Sequence, residues 1–326
     1  MKKVLVLGGD EFIGGRVLQA LASCGWARPV ADPAAARKAQ HANIDVLAFN
    51  LSDAASMALA LRDVDAVVNC LSGRPKTIAQ AAAVLFDTAP RCAKPPLVVL
   101  ISSMSVYGPA TGPVDENAPL QEGLAPYAQA KVTAEKLAAG YPRCVVVRPG
   151  CEFGPSGEPW SGRIAKWLYA GRIGDLGGAG DGYCNLVPVD DLAAGVLLAL
   201  QQPAAIGQTF NLAMEHPPTW NEYFIAFAKA LGAVPVQRIT RRQLVLETKA
   251  LAIPLKAAEI ALRPLGLGAK LPPPIPPSLL SLMRQEIQLD STRARQMLGW
   301  SSRPLNQAIA ETAAWYRQDL GHLRQG

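Results

Sequence analysis

Residues 4–15 read Val4-Leu5-Val6-Leu7-Gly8-Gly9-Asp10-Glu11-Phe12-Ile13-Gly14-Gly15, and the fold is decided there. Four apolar residues make a strand with no polar face, so it is buried on both sides. Glycines follow at once, and in GGRVLQALASCG the apolar positions then recur at helical spacing. A strand, a glycine turn and a helix open a βαβ unit. The first turn of such a helix carries unpaired N–H groups and partial positive charge, which suit a pyrophosphate. Gly8 serves the tight turn and Gly14 lets the helix pack close to the sheet, with Gly9, Phe12 and Ile13 completing a candidate dinucleotide-binding segment. Glu11 stands where the pattern wants its middle glycine. A carboxylate repels phosphate at short range. The expectation is a side chain turned outwards to solvent, leaving its backbone N–H to help, with cofactor affinity weakened but not abolished.

Outward from this turn the same alternation continues. The strand-like runs KVLVLG, DVLAF, DAVVNCL, LVVLISS and CVVVRPG are separated by helical stretches, GGRVLQALASCG, AASMALALRDV, TIAQAAAVLFDTA and APYAQAKVTAEKLAAG. Near-continuous Val/Leu strands between amphipathic helices imply an α/β fold, a parallel sheet doubly wound by helices on both faces. Beyond Pro149 the pattern loosens. WNEYFIAFAKALG is a helix with Thr219 as its N-cap and Gly232 at its end. The prolines of LPPPIPPS (271–278) exclude a helix interior and read as an extended segment. PLNQAIAETAAWYRQDLG closes the chain as a docked helix.

Composition narrows the function classes. The chain has 326 residues, half of them hydrophobic, and a net charge of +6 from scattered Lys and Arg, densest in RITRRQ (238–243). A nucleic-acid surface needs clustered charge, so a solvated basic face is the simpler account. The six cysteines (Cys24, Cys70, Cys92, Cys144, Cys151 and Cys184) form no C-x-x-C pair and several sit in apolar runs, as buried reduced thiols of a cytoplasmic protein would. His41, His216 and His322 have no ligand spacing, so no metal is expected. Neither a signal peptide nor a bilayer-spanning run is expected.

Asp32 lies 24 positions beyond Gly8, after the second strand-like segment, where a carboxylate can accept both ribose hydroxyls and repel a 2′-phosphate. That favours NAD over NADP. A turn aspartate before Pro33 is the competing reading, with Arg28, Arg37 and Lys38 left to meet a phosphate.

Tyr127-Ala128-Gln129-Ala130-Lys131 places a phenol and an ammonium one helical turn apart on one face. A nearby cation favours phenolate, so the spacing predicts a tyrosine pKa lowered towards neutrality and a usable acid/base. LVVLISSMSVYG sets Ser102, Ser103 and Ser105 just after a buried strand, where ligands gather in such sheets. A hydroxyl there can orient a substrate oxygen towards the tyrosine.

These motifs, in this order, resemble an extended short-chain dehydrogenase/reductase of the nucleotide-sugar epimerase/dehydratase group. The resemblance runs through VLVLGGDEFIGG, NLSD (50–53), VVNCLSG, SSMSVYG, PYAQAK, RPGCEFGP (148–155), NLVPVDDLA (185–193), GQTFNLA (207–213) and LGW (298–300). It implies a Rossmann-type core over residues 1–150 that carries the Ser/Tyr/Lys site. Residues 151–326 would form mostly a smaller substrate-binding lobe, with about 185–213 returning to the core. It implies Tyr127 as acid/base, Lys131 on the nicotinamide ribose and Ser103 positioning the reacting oxygen. Asn50 and Leu51 would lie beside the adenine, Cys70, Leu71 and Ser72 on the adenosine side, and Pro149 to Cys151 along the nicotinamide. A homodimer through the helix carrying Tyr127 is expected by resemblance alone.

The implied activity is NAD(P)-dependent hydride transfer between the cofactor and a secondary alcohol or ketone. A nucleotide-sugar epimerase would use the same residues. A weakly active cofactor-binding protein or an RNA-binding protein on this fold are further alternatives. Met104-Ser105 replace the Asp-Glu pair of the group's dehydratases, so dehydration is not expected. For a small-molecule substrate, either a nucleotide sugar or a lipophilic ketone, Ser105, Arg163, Lys166 and Asn185 are the candidate contacts. The apolar stretch 244–283 reads first as core packing, with a pocket cover, a dimer contact or a membrane-surface contact as alternatives.

Overall fold

The computed structural model describes residues 1–39, 41, 43–262 and 274–325. Seven strands form the central sheet: β1 (Lys2–Leu7), β2 (Ala27–Ala31), β3 (Asp45–Val46), β4 (Ala66–Asn69), β5 (Leu97–Ile101), β7 (Cys144–Pro149) and β10 (Thr209–Leu212). Four short strands lie outside it, β6 (Gly112–Val114), β8 (Cys151–Phe153), β9 (Leu186–Pro188) and β11 (Ile287–Leu289). The large sheet runs β10-β7-β5-β4-β1-β2-β3 with every neighbouring pair parallel. Its order reverses between β1 and β4, and the crevice at that point, outside the carboxyl ends of the strands, is where ligands bind in open α/β sheets.

Side chains alternate across the sheet, so each strand feeds two cores. Val4 and Val6 pack with α1 (Phe12–Ser23), α7 (Val189–Gln201) and α12 (Thr292–Leu298). Leu5 and Leu7 pack with α3 (Ala54–Ala60), α4 (Pro75–Thr88) and α5 (Pro126–Ala139). The doubly wound Rossmann-type sheet expected from the sequence is therefore present. α2 (Pro33–Ala39) follows β2 at the sheet's edge. RPVA is a true strand here, whereas DVLAF keeps only two paired residues and AASMALALRDV ends its helix at Ala60. The chain turns there through Asp63 at a φ of +60°.

A third core joins α6 (Arg163–Tyr169), α8 (Trp220–Leu231), α9 (Arg241–Val245), α11 (Pro277–Met283) and α13 (Leu305–Gln325), while α10 (Ala252–Leu262) adds none of its described residues to it. Trp167, Trp220, Tyr223, Phe224 and Phe227 fill it, and each buried large side chain contributes about 1.5–3 kcal/mol. Thr219 caps α8 in a reciprocal capping box with Glu222, and Gly232 ends it at a φ of +77°. The division of the chain is more interleaved than its order suggests. Val106, Tyr107 and Val114 belong to the lobe's core, while Ala294, Leu298 and Trp300 return to the sheet.

The apolar stretch 244–283 departs from ordinary core packing. Among its described residues Leu244, Thr248, Ala252, Leu279 and Met283 are buried, but Val245, Leu246, Leu251, Ile253 and Ile260 are exposed. Residues 263–273, including the start of LPPPIPPS, lie outside the described residues; Ile275 is buried and Pro277 opens α11.

Candidate active site

Three elements meet at the carboxyl ends of β4 and β5. α5 starts with Pro126, whose fixed φ suits a first helical position, so Tyr127 and Lys131 are presented one turn apart. The Lys131 ammonium sits 5.7 Å from the centre of the Tyr127 ring. It donates to the carbonyl oxygens of Leu71 at 2.8 Å and Ile101 at 2.7 Å, and thereby ties α5 to the ends of β4 and β5. Only 2% of Lys131 is exposed, and burial pulls its pKa from 10.5 down to about 8 against the pull of Cys70 and the carboxylates of Glu11, Glu152 and Glu135. Ser103 follows β5; its hydroxyl accepts from the Ser105 N–H at 3.2 Å and hydrogen-bonds the Tyr127 side chain.

The lowered tyrosine pKa expected from the Tyr/Lys spacing is corrected here. Burial pushes the Tyr127 phenol up, and the negative charge of Glu152 adds to the rise. Lys131 does not offset it, because its ammonium is engaged with two backbone carbonyls instead of the phenol oxygen.

The glycine turn has the expected shape. Gly8 sits at a φ of +74°, and a Cβ on Gly14 would run into the Gly8 carbonyl oxygen. Glu11 corrects a second expectation. It does not face solvent: its carboxylate crosses from the start of α1 to the loop after β4, accepting from the Ser72 N–H at 2.7 Å and from the Ser72 hydroxyl. The Ile13 side chain lies in the sheet's core, leaving only its backbone to a ligand, and Phe12 lies beneath Gly157. Asp32 uses one oxygen, Oδ1, to cap α2 through Ala34 and Ala35 N–H at 2.9 and 3.1 Å. Asn50 accepts from the Ser52 N–H, Leu51 packs on the sheet, and Cys70 and Leu71 are buried beside β1. A cradle without Cβ atoms at a helix start, with Asp32 Oδ2 outside the cap, fits a dinucleotide; Glu11 is its one discordant group.

A cavity of about 590 Å³ opens beside these residues. Ser72, Ser103, Ser105 and Tyr127 line it from the core side, and Trp160, Leu282 and Gln285 from the lobe. Gly150 and Cys151 also line it, whereas Pro149 ends β7. Three of the expected substrate contacts lie elsewhere. Asn185 is 1% exposed and spends both ends of its amide on β11, donating to Ile287 O and accepting from Leu289 N at 2.8 Å each. Lys166 is exposed and pairs with Glu158 at 2.9 Å, and Arg163 is not among the cavity's described lining residues.

Two groups were missed from the sequence. Glu152 lines the cavity from β8, whose other residues, Cys151 and Phe153, are buried. Burial pushes its carboxyl up to about 7. Its signal was an acid in the middle of an otherwise uncharged CEFGP. The second is the pair Glu135 and Arg148. Glu135 lies one turn beyond Lys131 on α5, and it accepts from Arg148 Nε at 3.0 and 3.1 Å and from Nη2 at 2.6 Å. It also accepts from the Ser102 hydroxyl. Arg148 continues to the Tyr107 hydroxyl at 2.8 Å, which donates to Asn211 Oδ1 at 2.7 Å. An arginine ending the apolar run CVVV was the visible sign that a buried acid must face it.

Among the described residues no three His, Cys, Asp or Glu gather as metal ligands, and no helix is long and apolar enough to cross a membrane. Comparison with known proteins agrees with the fold. The chain is 28% identical over 228 residues to a UDP-glucose 4-epimerase of Mycolicibacterium smegmatis, which covers 66% of this chain and 60% of that protein. It is 28% identical over 250 residues to a 2′-dehydrokanamycin reductase of Streptomyces kanamyceticus, covering 71% and 67%. Among solved structures, a UDP-glucose 4-epimerase with UDP-glucose from Thermotoga maritima superposes with a TM-score of 0.72 at 19% identity, covering 98% and 99% of the two chains. A dTDP-glucose 4,6-dehydratase from Bacillus anthracis, in complex with NAD, gives 0.74 at 17% identity, covering 98% and 97%. The profile of one family matches residues 4–213, from the first strand through β10, and the chain belongs to that family, the NAD dependent epimerase/dehydratase family.

Proposed function

We propose that the protein is an NAD-dependent oxidoreductase of a secondary alcohol and its ketone, with ketone reduction as the favoured direction. The observation that carries this reading is that Ser103 and Tyr127 line one cavity at the carboxyl ends of β4 and β5, with Lys131 buried one helical turn beyond Tyr127. NAD, the family's cofactor, supplies the hydride chemistry when bound. The Gly8–Gly14 turn, Asp32, the Cys70–Ser72 loop and the Pro149–Cys151 segment would hold it.

Tyr127 Oη gives its proton to the substrate oxygen as the ketone becomes an alcohol, and recovers it in the reverse direction. Burial and Glu152 keep the phenol protonated near neutral pH, so the resting side chain is the acid that reduction needs. Ser103 Oγ, already bonded to Tyr127, orients that oxygen. Lys131, held by Leu71 O and Ile101 O, fixes the turn of α5 that presents Tyr127 to the cavity. Cys151, Glu152, Pro159, Trp160, Leu282 and Gln285 supply the substrate side. A 4-epimerase among the relatives supports a second reading, in which the same residues oxidise and then reduce one carbon. Dehydration is not proposed, because Met104 and Ser105 follow Ser103 and offer neither acid nor base.

Tyr127→Phe tests the reading. Turnover is expected to fall by roughly 10²–10⁴-fold while NADH binding, followed by fluorescence, is kept. Turnover within a few-fold of the unaltered protein would refute the acid/base assignment.

A further inference from the structure

Glu152 has no counterpart among the groups that the hydride chemistry requires. Among the described residues lining the cavity it is the only charged one. No ion pair or hydrogen bond to another side chain engages its carboxyl among the described residues. Lys131 is the charged group that acts on it, but that ammonium is committed to Leu71 O and Ile101 O. Glu152 is the least buried residue of β8: Phe153 packs in the core and Cys151, although it borders the cavity, is 3% exposed, whereas Glu152 lines the cavity and is only partly buried. A second polar atom there is also unengaged, since Ser105 Oγ is buried with no hydrogen-bond partner. Trp160 forms part of the opposite wall.

A half-enclosed carboxylate met only by its own backbone N–H and by an ammonium already committed elsewhere is costly, and it favours a ligand that brings a cation. The same wall disfavours a diphosphate. No Lys, Arg or His is among its described lining residues, and Glu152 and the Glu11 carboxylate on Ser72 both repel anions.

We propose that the substrate is a ketone or secondary alcohol carrying a protonated amine, with the ammonium paired to Glu152 and the reacting oxygen held by Ser103 and Tyr127. This rests on the oxidoreductase reading of those two residues and adds the chemical class of what they act on. A neutral polyol loses the charged contact, and a nucleotide diphosphate sugar meets the wrong sign.

The test measures binding of methyl glucosides aminated at C2, C3 or C6, of methyl glucoside itself and of UDP-glucose to the NADH-loaded protein, by calorimetry at pH 8. At least one aminated sugar is expected to bind roughly ten- to a hundredfold tighter than the parent glucoside, the range of a charge-assisted hydrogen bond. In Glu152→Gln, shown to be folded by a cooperative thermal transition, that preference is expected to shrink to within about twofold. Tightest binding of UDP-glucose, no preference for any amine, or a preference that survives Glu152→Gln would each overturn the proposal. Tyr127-dependent turnover alongside any of these results would leave the oxidoreductase reading standing and remove only the amine.

Discussion

Replacing Glu135 by glutamine is expected to loosen the active site from below. Glu135 and Arg148 expose only 5% and 6% of their side chains, and three N–H···O contacts of 2.6 to 3.1 Å join them. Glu135→Gln keeps the shape but leaves a guanidinium buried without its counter-charge. Breaking a buried pair from one side costs about 3–5 kcal/mol. At roughly 2 °C of Tm per kcal/mol for a chain of this size, the midpoint should fall by about 6–10 °C. Arg148→Met alone strands the carboxylate and should cost a similar amount. The double variant Glu135→Gln/Arg148→Met removes both charges, and should recover at least about 2 kcal/mol relative to the sum of the single losses. Full recovery is not expected, because Arg148 also serves the Tyr107 hydroxyl and Glu116 O. Thermal unfolding of the four proteins in one buffer measures the cycle. A single loss below 1 kcal/mol, or strictly additive losses, would refute the view that this pair anchors α5 to β5 and β7.

Glu11→Gly is expected to tighten NADH binding by roughly thirtyfold, since a carboxylate within about 8 Å of a phosphate costs on the order of 2 kcal/mol at an effective dielectric of 20; unchanged or weaker binding in a fluorescence titration would rule out the proposed repulsion. Two buried groups give stability a pH dependence of known sign. Glu152 has its folded pKa raised from 4.5 to about 7, so its penalty is full above pH 7 and is relieved as pH falls towards 4.5. Lys131 is depressed from 10.5 to about 8, so its penalty is full below pH 8 and is relieved as pH rises towards 10.5. Glu152→Gln should therefore raise stability by roughly 1–3 kcal/mol at pH 8 and by almost nothing at pH 5, the lower bound allowing for screening in an open cavity; an equal gain at both pH values in urea unfolding would contradict the assignment.

Much of this fold was legible because its signals are local. Val4–Leu7 and Leu97–Ile101 could only be strands buried on both faces, and the α8 helix announced its N-cap at Thr219 and its end at Gly232. The Tyr127–Lys131 spacing was legible too, but its electrostatics were not. The lysine's partners, Leu71 O and Ile101 O, lie 60 and 30 residues away and carry no side-chain signature. Asn185 illustrates the same limit: in a motif it looks like a binding amide, yet its partners come from a three-residue strand more than a hundred residues later. Glu152 was hidden because the direction of one side chain on a three-residue strand depends on which of its neighbours the lobe buries.

The bridge from Glu11 to Ser72 makes nucleotide arrival an exchange of acceptors instead of the filling of a gap. On the proposed NAD site, a seat that already holds its own carboxylate should bind a nucleotide less tightly than one left bare. Rapid turnover of the nucleotide pool suits a reaction that consumes reducing power with every cycle, and works against one that keeps a single coenzyme resident through thousands of events.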